Sequence, residues 1–141
     1  MIFDDITNYY FWSIFTAWAI SCILKTIIYS VKTKKLDLMA GFKNGGMPSS
    51  HSAIMGAVTF SIFFEQGLTP ILFLSIAISA LVIRDAVTVR QEVGLIGEAL
   101  NNLLKEKNIK ELDVIYGHTL KQVIAGLIIS LISTGFFYYI L

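Results

Sequence analysis

The sequence contains two histidines, His51 and His118, and each stands at the polar start of an apolar segment. His51 ends the run GGMPSSH, while His118 follows a glycine and precedes TLKQVIAG. Two apolar segments lie between these two starts, so both histidines are expected at the same face of a membrane. They are the first candidates for chemistry in this chain.

The residues before His51 are suited to an anion. The first N–H groups of a helix are unpaired and its dipole is positive there, so a helix start holds a phosphate without a charged side chain. Gly45 and Gly46 permit close approach of the backbone, and Ser49 and Ser50 add hydroxyl donors. The alternative is an ordinary helix start with one of these serines as N-cap.

Lys25 lies within the first apolar segment, where an ionisable side chain is costly and indicates a functional site. Lys32 follows seven residues later, on the same face if the helix continues. Both lysines are therefore candidates to bind phosphate. The alternatives are snorkelling of Lys25 to the interface and contact of Lys32 with anionic lipid.

The third apolar segment ends in a second group of charges, Arg84, Asp85 and Arg90. Guanidinium binds phosphate bidentately, so at least one of the two arginines is predicted to hold phosphate. They are six residues apart, and one helix would not place them side by side. Asp85 is either part of the site or the salt-bridge partner of an arginine.

Composition predicts an integral membrane protein. The 141 residues are 55% hydrophobic and 15% charged, and the mean hydropathy is +0.71, whereas soluble domains carry about 25% charged residues. We predict an all-α, single-domain four-helix bundle over residues 1–141, with no cleavable signal peptide. Cys22 is the only cysteine, which excludes an intrachain disulfide. The predicted spans are approximately residues 10–31, 48–64, 69–87 and 118–141.

An additional amphipathic helix is predicted between the third and fourth spans, at about residues 88–107. Its apolar residues recur at intervals of three and four. They are Val89, Val93, Ile96, Leu100, Leu103 and Leu104. The helix is expected on the membrane surface or as a cap on the bundle, or as a plain connection between two spans.

Charge placement predicts the orientation. All 11 basic residues lie in or next to the face that holds the two histidines, while Asp4, Asp5 and Glu65 lie at the other. By the positive-inside rule the histidine face is cytoplasmic, in a multi-pass protein of the cell membrane.

The motifs resemble those of the type-2 phosphatidic acid phosphatase superfamily, which includes vanadium haloperoxidases, and most closely its divergent branch of small bacterial membrane proteins. The superfamily signatures are K-x6-R-P, P-S-G-H and S-R-x5-H-x3-D. Lys25 and Lys32 match the first with lysine for arginine, and PSSH, residues 48–51, matches the second with serine for glycine. The third is split between VIRDAVTVR and His118, with Gln122 at the aspartate position.

The resemblance implies a phosphatase that needs neither metal nor cofactor. His118 would attack phosphorus to form a phosphohistidine, and His51 would protonate the leaving group. Gln122 would orient the ring of His118 but supply no charge, so Asp85, or with less reason Asp113, is the candidate carboxylate.

Positively charged and backbone groups would stabilise the phosphate oxygens. They are Lys25, Arg84 or Arg90, and the stretch from Gly46 to Ser50.

The predicted function is therefore hydrolysis of a lipid phosphomonoester or pyrophosphate in the membrane. The alternative is a protein that binds or transports phosphate headgroups through the same pocket without turnover. A purely structural membrane protein is disfavoured by the clustered polar residues. The expected partners are the membrane and a lipid phosphate, without nucleic acid; an oligomer is compatible with the sequence.

Overall fold

The computed structural model describes residues 2–41 and 45–141, with side chains described from residue 8 onward. Within these ranges the fold is all-helical, as predicted, and no strand occurs. The elements in chain order are α1 (Ile2–Thr33), a short 3-10 helix (Leu38–Gly41), α2 (Ser50–Gln66), α3 (Pro70–Arg84), a π-helical turn (Asp85–Val89), α4 (Arg90–Glu106) and α5 (Leu120–Ile140).

Three stretches of the described chain are long and apolar enough to cross a bilayer. They are Asn8–Thr33, Pro70–Glu106 and Leu120–Ile140. The predicted first, third and fourth spans lie within or largely overlap them. The predicted second span corresponds to α2, which has 17 residues and is therefore about 25 Å long. The chain is thus a multi-pass membrane protein, and α2 lies among the spanning helices.

Helix α2 is at the centre of the bundle and packs against α1, α3 and α5. At one end Lys25 of α1 contacts Ser50 of α2; at the other end the amide of Gln66 donates to the hydroxyl of Tyr10. Helix α1 therefore runs antiparallel to α2. Because Ser52 contacts Val123 near one end and the ring of Phe64 lies near Tyr138 at the other, α2 and α5 run parallel.

Small side chains allow these helices to approach closely, as is usual where helices pack within a membrane. Ala17, Ala53 and Ala57 form the buried apolar cluster between α1 and α2. Helix α3 is joined to α2 through hydroxyl groups, since Thr59 lies 2.9 Å from both Ser75 and Ser79. Polar contacts of this kind are typical of helices in lipid.

The main chain stays helical from Pro70 to Glu106, because the π turn joins α3 to α4. The amide of Arg90 bonds to the carbonyl of Asp85, five residues back. The sequence predicts a boundary at residue 87 between the third span and the amphipathic helix. In the structure there is no break at this position, because the helix continues through a π turn that contains one extra residue. Such turns are rare and are often found at functional sites.

After α4 the chain turns back along this helix. We call residues 107–119 the return segment. The side chain of Asn101 pairs with both backbone groups of Leu112, at 2.9 and 2.7 Å. The hydroxyl of Tyr116 donates to Glu98 at 2.8 Å. The return segment thus covers the side of α4 that carries Gly94 and Asn101, the two buried residues of this helix.

The predicted apolar stripe of α4 lies mainly on the uncovered side. Val89, Val93, Ile96, Leu100 and Leu103 are exposed, while Leu104 is half-buried. The spacing predicted the apolar stripe correctly. The side of α4 that packs against the rest of the chain is a different one, and it carries Gly94 and Gly97, which lie against Tyr116 and Val114 of the return segment. A glycine leaves space for another segment to approach, which is why the return segment lies there.

Candidate active site

The starts of α2 and α5 are held together by their backbones. The amide of Ser49 donates to the carbonyl of Gln122 at 3.0 Å, and the hydroxyl of Ser52 donates to the carbonyl of Val123 at 3.0 Å. Gly126 makes the approach possible, since a Cβ there would collide with the carbonyl of Ser49 and the hydroxyl of Ser52. Two polar helix starts, 70 residues apart in sequence, thus lie side by side.

This contact brings the two histidines together. His51 is in the first turn of α2, and His118 directly precedes Thr119, the N-cap of α5. Their ring centroids are 5.7 Å apart. The predicted pair therefore lies together, and we call the region around the two rings the chamber.

The tautomer of His118 follows from its partners. Nδ1 of His118 lies 3.0 Å from Oε1 of Gln122. The same Oε1 accepts the amide of Thr119 at 3.0 Å, as part of a capping box between Thr119 and Gln122. A backbone N–H can only donate, so this atom is an acceptor and Nδ1 must carry the proton. Nε2 of His118 then presents its lone pair, as a nucleophile requires.

The amide of His118 is also fixed. It donates to the carbonyl of Ala86, in the π turn, at 2.9 Å. The preceding Gly117 passes so close to this turn that a Cβ would lie 2.5 Å from the carbonyl oxygen of Val87 and 2.8 Å from the amide of Gln91. His118 is therefore positioned from two sides, by α5 through Gln122 and by the π turn through Ala86.

Burial holds the pKa of the His118 imidazole below its usual value, and the charges of Lys25 and Arg90 lower it further. The hydrogen bond to Gln122 and the backbone of Gly46 act in the opposite direction but do not reverse the shift. Only 4% of His118 is exposed. The site therefore favours the neutral, nucleophilic imidazole at neutral pH.

Arg90 is the arginine that reaches the chamber. One of its guanidinium nitrogens, Nη2, lies 3.5 Å from Nε2 of His51. A guanidinium only donates, so Nε2 of His51 accepts and the proton lies on Nδ1. Nδ1 of His51 and Nε2 of His118 are both buried and have no hydrogen-bond partner within the described ranges. Two unpaired imidazole nitrogens beside a guanidinium form a site for a polar ligand.

Lys25 closes the chamber from α1. It is 4% exposed, its Nζ lies 3.5 Å from Oγ of Ser50, and its aliphatic stem packs against Gly46. Gly45 and Gly46 have φ angles of +82° and +81°, which favour glycine. A cavity of about 430 Å³ lies beside Lys25, and Lys32 and Lys121 line it.

These features agree with a comparison with known families. Residues 6–133 match the model of the Divergent PAP2 family. The chain belongs to that family. The resemblance inferred from the PSSH run and from His118 is thereby confirmed.

One curated relative is the "Uncharacterized membrane protein YuiD" of Bacillus subtilis (strain 168). It is 29% identical over 157 residues, an alignment that covers 94% of this chain and 98% of the relative. No solved structure matches the chain. The Divergent PAP2 family assignment therefore rests on sequence, and the geometry of the site comes from this structure.

Not all predicted site residues of this Divergent PAP2 protein meet in the chamber. Arg84 is exposed in the last turn of α3, and Lys32 is exposed on the wall of the cavity. Asp113 is exposed in the return segment. Asp85 is exposed in the π turn, although it lies near enough for its charge to act on His51. The structure brings Gln122, and not Asp85, to Nδ1 of His118.

Three positioning features escaped sequence reasoning. The capping box was visible as Thr119 followed three residues later by Gln122, before an apolar run. Gly117 offered a weaker signal, a glycine directly before a candidate histidine. The carbonyl of Ala86 offered none, because its role depends on the π turn and on the path of the return segment.

Proposed function

We propose that this chain is a membrane phosphatase that hydrolyses a phosphomonoester or pyrophosphate of a lipid. The observation that carries the proposal is the state of His118: Nδ1 is bound to Gln122, and the buried Nε2 faces the chamber without a partner in the described chain. A structural histidine would use both nitrogens. One that is fixed at Nδ1 and free at Nε2 is prepared for attack.

In the proposed reaction Nε2 of His118 attacks phosphorus, and the bond from phosphorus to the lipid oxygen breaks. Arg90 now donates to Nε2 of His51, so a phosphate that takes over the guanidinium would leave this nitrogen free to bind a proton. The resulting imidazolium of His51 gives this proton to the lipid oxygen and returns to the neutral ring. Water then cleaves the phosphohistidine and releases phosphate.

The remaining groups would bind phosphate oxygens. Lys25 supplies a charge from α1, and Ser50 lies within 3.5 Å of it at the start of α2. Fixed donors around the developing charge are the usual source of transition-state stabilisation. Lys32 and Lys121, on the cavity next to Lys25, would attract the anion rather than touch the reacting phosphorus.

The proposed membrane arrangement has four spans, with α2 as the short second one and α4 outside the hydrocarbon core. The continuous helix of residues 70–106 supports this, because 37 residues extend about 55 Å, well beyond a hydrocarbon core of about 30 Å. The site would face the cytoplasm. A cysteine at Lys107, with Cys22 replaced, tests this orientation; labelling by an impermeant reagent in intact cells would overturn it.

The test of activity is phosphate release by the purified protein from a panel of lipid phosphates, beside His118→Ala. We expect release that the substitution abolishes, and an acid-labile phosphoryl group on the peptide that carries His118. Release that survives in His118→Ala would exclude the mechanism.

A second candidate function is binding or transport of the lipid phosphate without turnover. Gln122 favours it, since the partner of His118 is a neutral amide where the superfamily has a carboxylate. In that case lipid phosphate binds with similar affinity to the wild type and to His118→Ala, and neither releases phosphate.

A further inference from the structure

We propose that the cavity beside Lys25 is a second phosphate-binding site, so that the protein binds a lipid diphosphate with one phosphate group in the chamber and one in this cavity. The inference rests on the proposed function, because it chooses between the two substrate classes named for the same site. The cavity encloses about 430 Å³, and we call it the lysine cavity because Lys25, Lys32 and Lys121 line it.

The lysine cavity adjoins the chamber, because residues of the site line it. They are Lys25, Gly46 and Gln122. The ammonium group of Lys25 lies 3.5 Å from the hydroxyl of Ser50. Its charge acts on the imidazole rings of His51 and His118, while its aliphatic stem packs against Gly46 on the cavity wall. One buried ammonium group thus stands between the two spaces, where it can contact two linked phosphate groups.

The two spaces together carry more positive charge than one phosphate group requires. A phosphate monoester carries up to about two negative charges at neutral pH, and Arg90 and Lys25 supply two positive charges at the chamber. Lys32 and Lys121 add two more on the lysine cavity, whose described lining contains no aspartate or glutamate. A second phosphate group in the cavity would provide the negative charge that these two lysines lack.

A neighbouring cavity of the same volume, about 430 Å³, provides the comparison. It has four lining residues in common with the lysine cavity, namely Gly45, Gly46, Thr119 and Gln122. The rest of its described lining is Gln91 and residues 114–117 of the return segment, and none of these side chains is charged. Positive charge is therefore not a general property of the polar mouth. It is concentrated in the cavity that adjoins Lys25.

Binding of analogues that resist hydrolysis tests the second site without requiring turnover. We would compare an alkyl methylenebisphosphonate, which has two linked phosphonate groups, with the alkylphosphonate of the same chain, by isothermal titration calorimetry in neutral detergent. We expect the wild type to bind the bisphosphonate about tenfold more tightly or better, as hydrogen bonds to a further charged group would give. Equal affinities would overturn the proposal, even if the protein hydrolyses lipid monophosphates.

Lys121→Gln removes one charge from the lysine cavity and keeps most of the side chain. Its affinity for the bisphosphonate should fall about tenfold, and its affinity for the monophosphonate much less. Lys35→Gln is the matched control, because Lys35 is exposed at the same membrane face and does not line the cavity. It should weaken both ligands slightly and alike. An equal loss of bisphosphonate affinity in the two variants would contradict the second site and indicate general attraction to the basic face.

A further titration distinguishes a linked phosphate group from a free phosphate ion in the lysine cavity. We expect added inorganic phosphate not to raise the affinity for the monophosphonate, because only a linked group is held at high effective concentration. A rise to the affinity of the bisphosphonate would overturn the diphosphate as the ligand. If the wild type prefers the bisphosphonate but releases phosphate from no lipid phosphate, the second site is supported and the proposed hydrolysis fails.

Discussion

Two regions of the molecule meet at the site: the paired starts of α2 and α5, and the return segment. Different kinds of contact hold each of them in place. The starts of α2 and α5 touch through backbone and small side chains, with Ser49, Ser52 and Gly126 in direct contact. The return segment is mostly exposed and is attached to α4 and the π turn by separate hydrogen bonds. His118 belongs to both regions, through Gln122 and through Ala86.

Because the two regions are held by different contacts, one is expected to determine the stability of the bundle and the other the position of His118. Where two backbones are in contact, the interior has no space for an added atom, and a substitution is felt throughout the bundle. Where an exposed segment is held by a few hydrogen bonds, it can shift while the bundle remains folded. Changes at the helix starts should therefore destabilise the protein, and changes where the return segment meets the π turn should reduce its activity.

The largest effect is expected for Gly126→Ala. Its Cβ would collide with the carbonyl of Ser49 and the hydroxyl of Ser52, so α2 and α5 must separate. Overpacking of this kind costs about 1–3 kcal/mol. Thermal unfolding in detergent would measure the loss.

Gly135→Ala in the same helix is the control for that substitution. A Cβ at Gly135 meets nothing within 4 Å, and alanine favours helix over glycine by up to about 1 kcal/mol. If Gly126→Ala and Gly135→Ala unfold at the same temperature, the close contact of the two helix starts is not a determinant of stability.

The next effect is expected for Gly117→Ala. Its Cβ would lie 2.5 Å from the carbonyl oxygen of Val87, so the return segment must leave the π turn and His118 must lose its bond to Ala86. A displacement of about 1 Å at a reacting group can reduce the rate by about a hundredfold. We expect phosphate release to fall far more than the unfolding temperature.

Gly97→Ala is the matched control in α4. There the nearest atom is a methyl carbon of Val114 at 3.1 Å, a side chain that can yield. Activity should fall only slightly. A Gly117→Ala protein with full activity would show that the contact with the π turn does not position His118.

Gln122→Glu tests how the partner of His118, the residue where the two regions meet, affects its reactivity. Glutamate retains the capping box and places a carboxylate on Nδ1 of His118. Burial now holds the pKa of His118 below its usual value, and an adjacent negative charge favours the imidazolium and raises this pKa. The nucleophile must be neutral, so the acid limb of the pH–rate profile should move to higher pH, while the maximal rate rises several-fold.

Gln122→Ala provides the contrast. It removes both the hydrogen bond to Nδ1 and the capping bond to Thr119, so the rate should fall across the pH range. The hydrogen bond that is lost raises the pKa of His118 in the wild type, so the acid limb should move to lower pH, opposite to Gln122→Glu. An acid limb that stays in place in Gln122→Glu would indicate that His118 is not the group that titrates.

The smallest effect is expected at the far end of the return segment. Lys105 and Glu111 form an ion pair of 3.4 Å with side chains 60% and 50% exposed, and pairs of this kind contribute about 0–1 kcal/mol. Lys105→Ala should change neither stability nor activity measurably. Asn101→Ala, which removes two bonds to Leu112, should cost more, and similar unfolding temperatures for the two variants would argue against discrete attachment of the return segment.

Much of the fold followed from local patterns. Apolar segments and their spacing predicted the position of each long helix, because these signals act over one or two turns, although α1 begins at Ile2, well before the predicted residue 10. The run PSSH and the position of Lys25 predicted where a polar site would form. Family membership, inferred from those motifs, is confirmed by the comparison.

Neighbouring residues in the sequence do not determine which of the charged candidates reaches the site. The sequence could not decide between Arg84 and Arg90, since the π turn inserts an extra residue and changes which positions share a face of the helix. In the structure, the buried face continues from Ala86 to Arg90 and Gly94, and this order brings Arg90 to His51.

The sequence by itself therefore determined the helices, the membrane character and the two histidines, because hydropathy and helix starts depend on neighbouring residues. Only the tertiary structure decided which partners these histidines have. Gln122 rather than Asp85 reaches His118, and the carbonyl of Ala86 holds its amide. The physical reason is that these contacts depend on the packing of α5 beside α2 and on the path of the return segment, and neither is encoded in a pattern of adjacent residues.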